Sequence, residues 1–158
     1  MELTNITFNE LDGELNISNT IIINKDTTIQ SFLDSINNEY VEELIRKDAN
    51  MICTLKKINF KLNDVYLKFR DNRISSIALR NFQGVIGWEN WSIENVRHDL
   101  EIQKQWLEDN INQLPSVISI GEGLESKRIN YTFSWGEITS SYDSRSGDSS
   151  IFIKYNRC

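Results

Sequence analysis

Residues Phe133–Tyr155 read FSWGEITSSYDSRSGDSSIFIKY. The stretch describes two strands folded about a polar turn. Glu137–Tyr142 and Ser150–Tyr155 have strand composition, and Ile151, Ile153 and Tyr155 alternate with Phe152 and Lys154. That period of two gives the last strand one apolar face and one wet face. Asp143-Ser144-Arg145-Ser146-Gly147-Asp148 lies between them, with Gly147 available for a positive φ. A further strand, Asn130–Trp135, precedes the pair. The segment holds no catalytic signature.

The same patterning recurs upstream. Ile6 and Phe8, then Leu15 and Ile17, flank Asp12-Gly13, a dipeptide suited to a tight hairpin. Thr20–Ile23 is a β-branched run expected to be buried on both faces. Met51–Leu79 reads as an antiparallel meander. Ile58, Phe60 and Leu62 alternate with lysines, a turn is expected at Asn63-Asp64, and Val65, Leu67 and Phe69 follow. A second turn at Asp71-Asn72 leads to Ile77 and Leu79.

Helical sequence is less abundant. Asp26-Thr27-Thr28 offers caps for a helix through Ile29, Phe32, Leu33 and Ile36. Tyr40, Val41, Leu44 and Ile45 fall at helical spacing and predict a second short helix. Residues 81–91 read as a loop carrying two glycines and two tryptophans, after which Ser92 caps the longest helix, about 93–111, closed off by Leu114-Pro115. Helical sequence stands before a strand pair in both halves, at Thr28–Phe69 and Ser92–Tyr155, as a diverged duplication or by chance. The fold class expected is α+β: a mostly antiparallel sheet with one long helix and one or two shorter ones packed on it. At 158 residues the chain is expected to form a single domain, 1–158.

Composition narrows the function classes. The net charge of −6 disfavours non-specific binding to nucleic acid or an anionic membrane and suits a basic partner, though it also suits simple solubility. Met1–Leu15 lacks the basic then apolar regions of a signal peptide, and no apolar run is long enough to span a bilayer, so the expected location is cytoplasmic. Of the two cysteines, Cys53 lies in an apolar alternating run and reads as a buried hydrophobe, whereas Cys158 ends the sequence. A bridge between them is conceivable, but two cysteines make no disulfide framework. No Cys/His spacing suggests a metal site, and no cofactor motif appears.

Catalytic candidates are few. The one histidine, His98, lies in the long helix, with Asp99 turned about 100° away around the axis. Residues 143–148 resemble a calcium loop only in composition, lacking the ligand spacing and the closing Glu. Nothing singles out a carboxylate pair. The chain is therefore read as a binding protein and not an enzyme, with a small enzyme or ligand-binding protein using a carboxylate site as the alternative.

The long helix carries two apolar stripes. Ile93, Val96, Leu100, Leu107 and Ile111 cluster on one side, the expected core face. His98, Ile102 and Trp106 fall roughly opposite. Either the protein's own chain covers this second stripe, through the Trp88–Trp91 loop or the N-terminal strands, or it is an exposed patch with an aromatic anchor. From Glu89 to Asp109 six acids face only Arg97 and Lys104, a net of −4. The candidate partner-binding residues are Trp88, Glu89, Trp91, Glu94, His98, Ile102 and Trp106, with the turn acids Asp143 and Asp148. Trp106→Ala and Glu94→Lys are expected to weaken binding while the fold survives.

The meander has the opposite sign, a net of +5 from Cys53 to Arg80, with Lys57, Lys61, Lys68, Arg70 and Arg80 broadly on one face around Tyr66. A basic sheet face with an aromatic can bind RNA, a third possibility set against an ordinary solvated face.

The C-terminal pattern resembles that of small, acidic, cytoplasmic bacterial immunity proteins of polymorphic toxin systems. The features alike are Trp135-Gly136, Ile138, Tyr142-Asp143, Ser146-Gly147 and the Ile151/Ile153/Tyr155 strand, with Trp88 and Trp91 ahead of a helix. The resemblance implies a non-enzymatic protein that binds and neutralises one toxin domain. No site carries over residue by residue. Trp135 and Tyr142 are expected as core aromatics, and Gly136 and Gly147 as turn or bulge positions. The partner expected is a basic toxin domain; a homodimer is also possible.

Overall fold

The computed structural model describes residues 6–18, 21–55, 64–80, 92–119, 128–143 and 148–156. The alternating segments form antiparallel strands. β1 (Thr7–Asn9), β2 (Glu14–Ser18) and β3 (Ile21–Ile23) make a three-stranded sheet. β4 (Val41–Lys47), β5 (Asn50–Leu55), β6 (Asp64–Arg70), β7 (Arg73–Arg80), β8 (Val117–Ser119), β9 (Arg128–Phe133), β10 (Gly136–Asp143) and β11 (Asp148–Tyr155) make an eight-stranded sheet in the order β4-β5-β6-β7-β11-β10-β9-β8. Two helices, α1 (Ile29–Ser35) and α2 (Ile93–Asn110), and a 3-10 turn at Asn38–Tyr40 complete the described elements. The fold is α+β, as the sequence predicts.

One face of the large sheet carries the core. Register places Cys53, Leu67, Ile77, Ile153, Ile138 and Tyr131 in a single row across six strands, all buried. Leu55, Val65, Leu79 and Ile151 form the next row. Because side chains alternate between faces, this in-register stacking buries every second residue. The small sheet contributes Phe8, Leu15, Ile17, Ile21 and Ile23 to the same core, α1 contributes Ile29 and Phe32, and α2 lies over β10 and β11.

Local chemistry fixes the turns. Asp71 and Asn72 both have positive φ, 52° and 65°, as the tight β6–β7 hairpin requires. Gly13, at φ 75°, turns the β1–β2 hairpin beneath the Trp135 ring, where a Cβ would stand 2.6 Å from the indole. Trp135 stacks on Phe133 at 4.9 Å, meets Phe8 and Tyr155 at 5.4 Å each, and donates from Nε1 to the Glu10 carbonyl at 2.9 Å. Tyr155 Oη donates to the Gly13 carbonyl at 2.7 Å. The β9–β10 turn and the end of β11 thus grip the tip of the N-terminal hairpin. Trp135 and Tyr142 are core aromatics, as expected. Thr28 caps α1 with a reciprocal Thr28–Ser31 pair.

Several expectations need correction. The short helix read through Tyr40–Ile45 is a 3-10 turn followed by strand β4. β4 is an edge strand exposed along nearly its whole length, so neither face imposes a period of two. The helical spacing of Val41, Leu44 and Ile45 is coincidental, and pairing with β5 decides the conformation. β3 is buried on one face only: Ile21 and Ile23 point inward while Ile22 is 45% exposed, because the small sheet covers the core with a single face. Asp64 begins β6 and is not a turn residue. The long helix is as expected, α2 running to Asn110 with Ile111 as its C-cap, so that it stops before Leu114-Pro115 is reached. Ile58, Phe60, Leu62, Gly147 and Cys158 lie outside the described residues.

Cys53 is fully buried in β5, and burial pushes its thiol up to about 11. Among the described residues no helix is long and apolar enough to cross a membrane.

Candidate functional site

α2 begins where Ser92 accepts a hydrogen bond from the Asn95 N–H at 3.1 Å, with Glu94 in the first turn. Its inward face is Val96, Asp99, Leu100, Gln103 and Leu107. Ile93, expected on the core face, is 41% exposed at the open first turn, while Asp99 and Gln103 lie inward instead. Gln103 is fully buried over β10 and β11. With its amide oriented to satisfy both ends, it donates to Ser140 Oγ at 2.8 Å and the Ser150 carbonyl at 3.2 Å. It accepts from the Ser150 N–H at 3.1 Å and from Ser149 Oγ at 3.0 Å. This clamp fixes the rotation of α2, and so decides which residues face outward.

The stripe His98, Ile102 and Trp106 is divided. His98 is exposed. Ile102 and Trp106 are half-buried and pack against the main core. Trp106 Nε1 donates to the Ile6 carbonyl at 3.0 Å, and its ring meets Phe8 at 6.4 Å. Asn110 Oδ1 accepts from the Phe8 N–H at 3.0 Å just beyond. Of the two readings of this stripe, cover by the N-terminal strand is the one the geometry adopts.

The outward face is a different set. Glu94, Glu101 and Glu108 recur every seven residues, so each lies within about 20° of the previous one around the axis and roughly 10 Å further along it. All three are exposed, as are His98, Gln105 and Asp109 on the same side. Arg97 and Lys104 border the stripe, with Lys104 Nζ 4.0 Å from Glu108 Oε1. The seven-residue spacing was readable in the sequence; only the rotation set by Gln103 was not.

The remaining candidates are scattered. Trp88, Glu89 and Trp91 lie outside the described residues. Asp143 and Asp148 pair at the ends of β10 and β11, flanking residues 144–147, which are not described.

Two other features bear on the alternatives. An open hollow of about 640 Å3 lies between the β1–β2 turn, the chain after α2 and the β9–β10 turn, lined in part by Glu10, Leu11, Gln113 and Phe133. Among its described lining residues the carboxylate is Glu10, which accepts through Oε1 from the Asn112 N–H at 3.0 Å and through Oε2 from the Gln113 N–H at 3.4 Å. Glu10 thereby ties the β1–β2 turn to the chain after α2. Among the described residues no group of three or more His, Cys, Asp or Glu could hold a metal ion. On the outer face of the large sheet, Arg80 stacks over Tyr66 at 4.3 Å and donates to its hydroxyl at 2.7 Å. Tyr66, the aromatic that the RNA-binding possibility would use, is covered on that side by the protein's own guanidinium.

No protein-family model and no curated protein matches the sequence. Over 96% of its length the chain is similar in structure to a chain of the solved complex "Rhs1-CT in complex with cognate immunity protein RhsI1". The alignment covers 88% of that chain, with a TM-score of 0.57 and 16% sequence identity. At that identity the likeness is one of fold, and it takes in both sheets and α2 together.

Proposed function

We propose that this protein is a cytoplasmic, non-enzymatic immunity protein that neutralises a toxin domain by direct occlusion. The observation that carries the reading is the fold likeness to a chain of a toxin–immunity complex along nearly the whole sequence. The exposed face of α2 supports a basic partner. Glu94, Glu101 and Glu108 present a line of carboxylates on a rigid, clamped helix, with His98, Gln105 and Asp109 beside them. Such a line steers a basic domain into encounter and fixes its register, while apolar contacts beside it set residence time. Ile93 and Ile102 are the apolar groups available on α2, and Trp88, Glu89 and Trp91 stay in the proposed surface as neighbours in sequence.

The test is co-expression with a candidate toxic domain taken from a gene adjoining this one. The reading expects a stoichiometric complex and rescue of growth. A toxin domain that neither binds the protein nor loses toxicity in its presence would overturn it.

A further inference from the structure

The described residues include eight large apolar side chains with high exposure, and three of them lie on the β4–β5 edge of the large sheet, Ile45 and Ile52 on its outer face and Leu44 on the other. Ile45 and Ile52 are cross-strand partners, 56% and 45% exposed. Among the described residues β4 is the terminal strand and pairs only with β5. At seven residues it is much longer than the opposite edge, β8, at three. A long edge with apolar side chains is a template for pairing with another strand.

The pairing pattern shows which groups are available. The β4–β5 hairpin closes on Lys47 and Asn50 across Asp48-Ala49. By antiparallel alternation, Lys47, Ile45 and Glu43 direct their backbone groups at β5. Leu44 and Arg46 then aim their N–H and C=O groups off the edge.

The strand reads VEELIRK, acids first and bases last. Charges placed only to block pairing need no such order. In an antiparallel pair of identical strands, this order sets acid against base. A two-fold axis perpendicular to the sheet preserves its faces, so some residue must meet itself on the axis. With Ile45 there, Glu43 opposes Lys47 of the second copy, twice by symmetry, and Leu44 lies against the aliphatic stem of Arg46. Ile52, Ile45 and their two counterparts form one apolar row. The bulge between Val41 and Glu43 falls outside the paired stretch.

We propose that β4 is a homodimerisation edge, two copies pairing antiparallel about Ile45 to join their eight-stranded sheets into one. The second copy is the occupant because the strand's charge order complements itself. β4 stands four strands from β11, on which α2 packs, roughly 20 Å away at the usual strand spacing. The dimer therefore leaves the acidic helix open on both copies and is independent of the proposed toxin binding. Five residues a side is a small contact beside the roughly 1,200 Å2 of a stable interface, so the dimer is expected to be weak and concentration-dependent.

The experiment is sedimentation equilibrium on the full chain across a micromolar concentration series. The wild-type protein is expected to show a monomer–dimer equilibrium. Glu43→Lys and Lys47→Glu each oppose like charges at two places and should weaken dimerisation about tenfold or more. The Glu43→Lys/Lys47→Glu double variant restores the pairing and should restore the dimer. Ile45→Lys, with like charges on the axis, should be monomeric. Circular dichroism checks that each variant is folded, which is expected because all three positions are exposed. A wild-type protein that stays monomeric throughout, or a dimer indifferent to these reversals, would overturn the proposal.

Discussion

Replacing Trp106 by alanine tests whether this residue is a free anchor for a partner or an internal pin. The indole is half-buried, packs on Phe8 and donates to the Ile6 carbonyl at 3.0 Å. An aromatic side chain buries about 150–250 Å2 when fully enclosed. Half of that, at about 25 cal/mol per Å2, corresponds to roughly 2–3 kcal/mol. The hydrogen bond adds about 1 kcal/mol net. Trp106→Ala should therefore destabilise the fold by about 3–4 kcal/mol, a large part of the stability of a domain this size. Trp106→Phe keeps most of the packing and loses the donor, so about 1–2 kcal/mol is expected. Urea unfolding monitored by circular dichroism gives both values, with the midpoint shifting at nearly constant slope. A Trp106→Ala loss below about 1 kcal/mol, with partner binding abolished, would refute the reasoning and restore Trp106 as an anchor. The sequence alone leads one to expect a binding defect with the fold intact at this position; the contact with β1 adds a cost in stability.

Other perturbations follow from single contacts. Gly13→Ala forces a positive φ at about 1–2 kcal/mol and pushes on the Trp135 ring at about 1–3 kcal/mol, so a clear drop in melting temperature is expected; an unchanged melt would refute the hairpin clamp. Gln103→Leu leaves the Ser150 backbone groups and Ser149 Oγ short of partners over a buried surface, and should cost about 3 kcal/mol by denaturant titration, whereas a neutral result would deny the clamp on α2. The Cys53 thiol, ordinarily at 9.0, is raised to about 11 in the fold by burial. The unfolded chain loses that proton first, so stability falls as pH rises from 9.0 towards 11, by about 2–3 kcal/mol in all. Tyr155, also raised by burial, continues the decline. Stability measured across that range should slope downward in the wild type and less steeply in Cys53→Ala; equal slopes would remove Cys53 as the cause.

The parts of the fold that sequence made legible are those where one face is wet. Ile151, Ile153 and Tyr155 alternate because β11 has a core side and a solvent side, and Val65, Leu67 and Phe69 do so for the same reason. Asp12-Gly13 and Asp71-Asn72 announce their turns through backbone conformations that few residues adopt. β4 was illegible because an edge exposed on both faces carries no alternation, and its identity comes from β5. The candidate site was half legible. The acidity of α2, the N-cap at Ser92 and Glu94 in the first turn are plain in the sequence. Which acids share the outer face depends on the seating of Gln103 against Ser140, Ser149 and Ser150, contacts between residues nearly forty or more positions apart. Ile93 departs from its expected core face because the first turn of α2 opens to solvent, while β1 lies over the last turns and covers Trp106, one of the two readings the sequence leaves open.

The most direct measurement of the central proposal is the affinity of this protein for a candidate toxin domain taken from an adjoining gene, before and after charge reversal at Glu94, Glu101 and Glu108. The acidic-face account predicts that the triple Glu→Lys variant folds normally and binds at least about a hundredfold more weakly. Most of the loss should lie in the association rate, and the wild-type rate should fall steeply with added salt. A triple variant that binds the toxin domain as tightly as the wild type, with the same salt dependence, would contradict it.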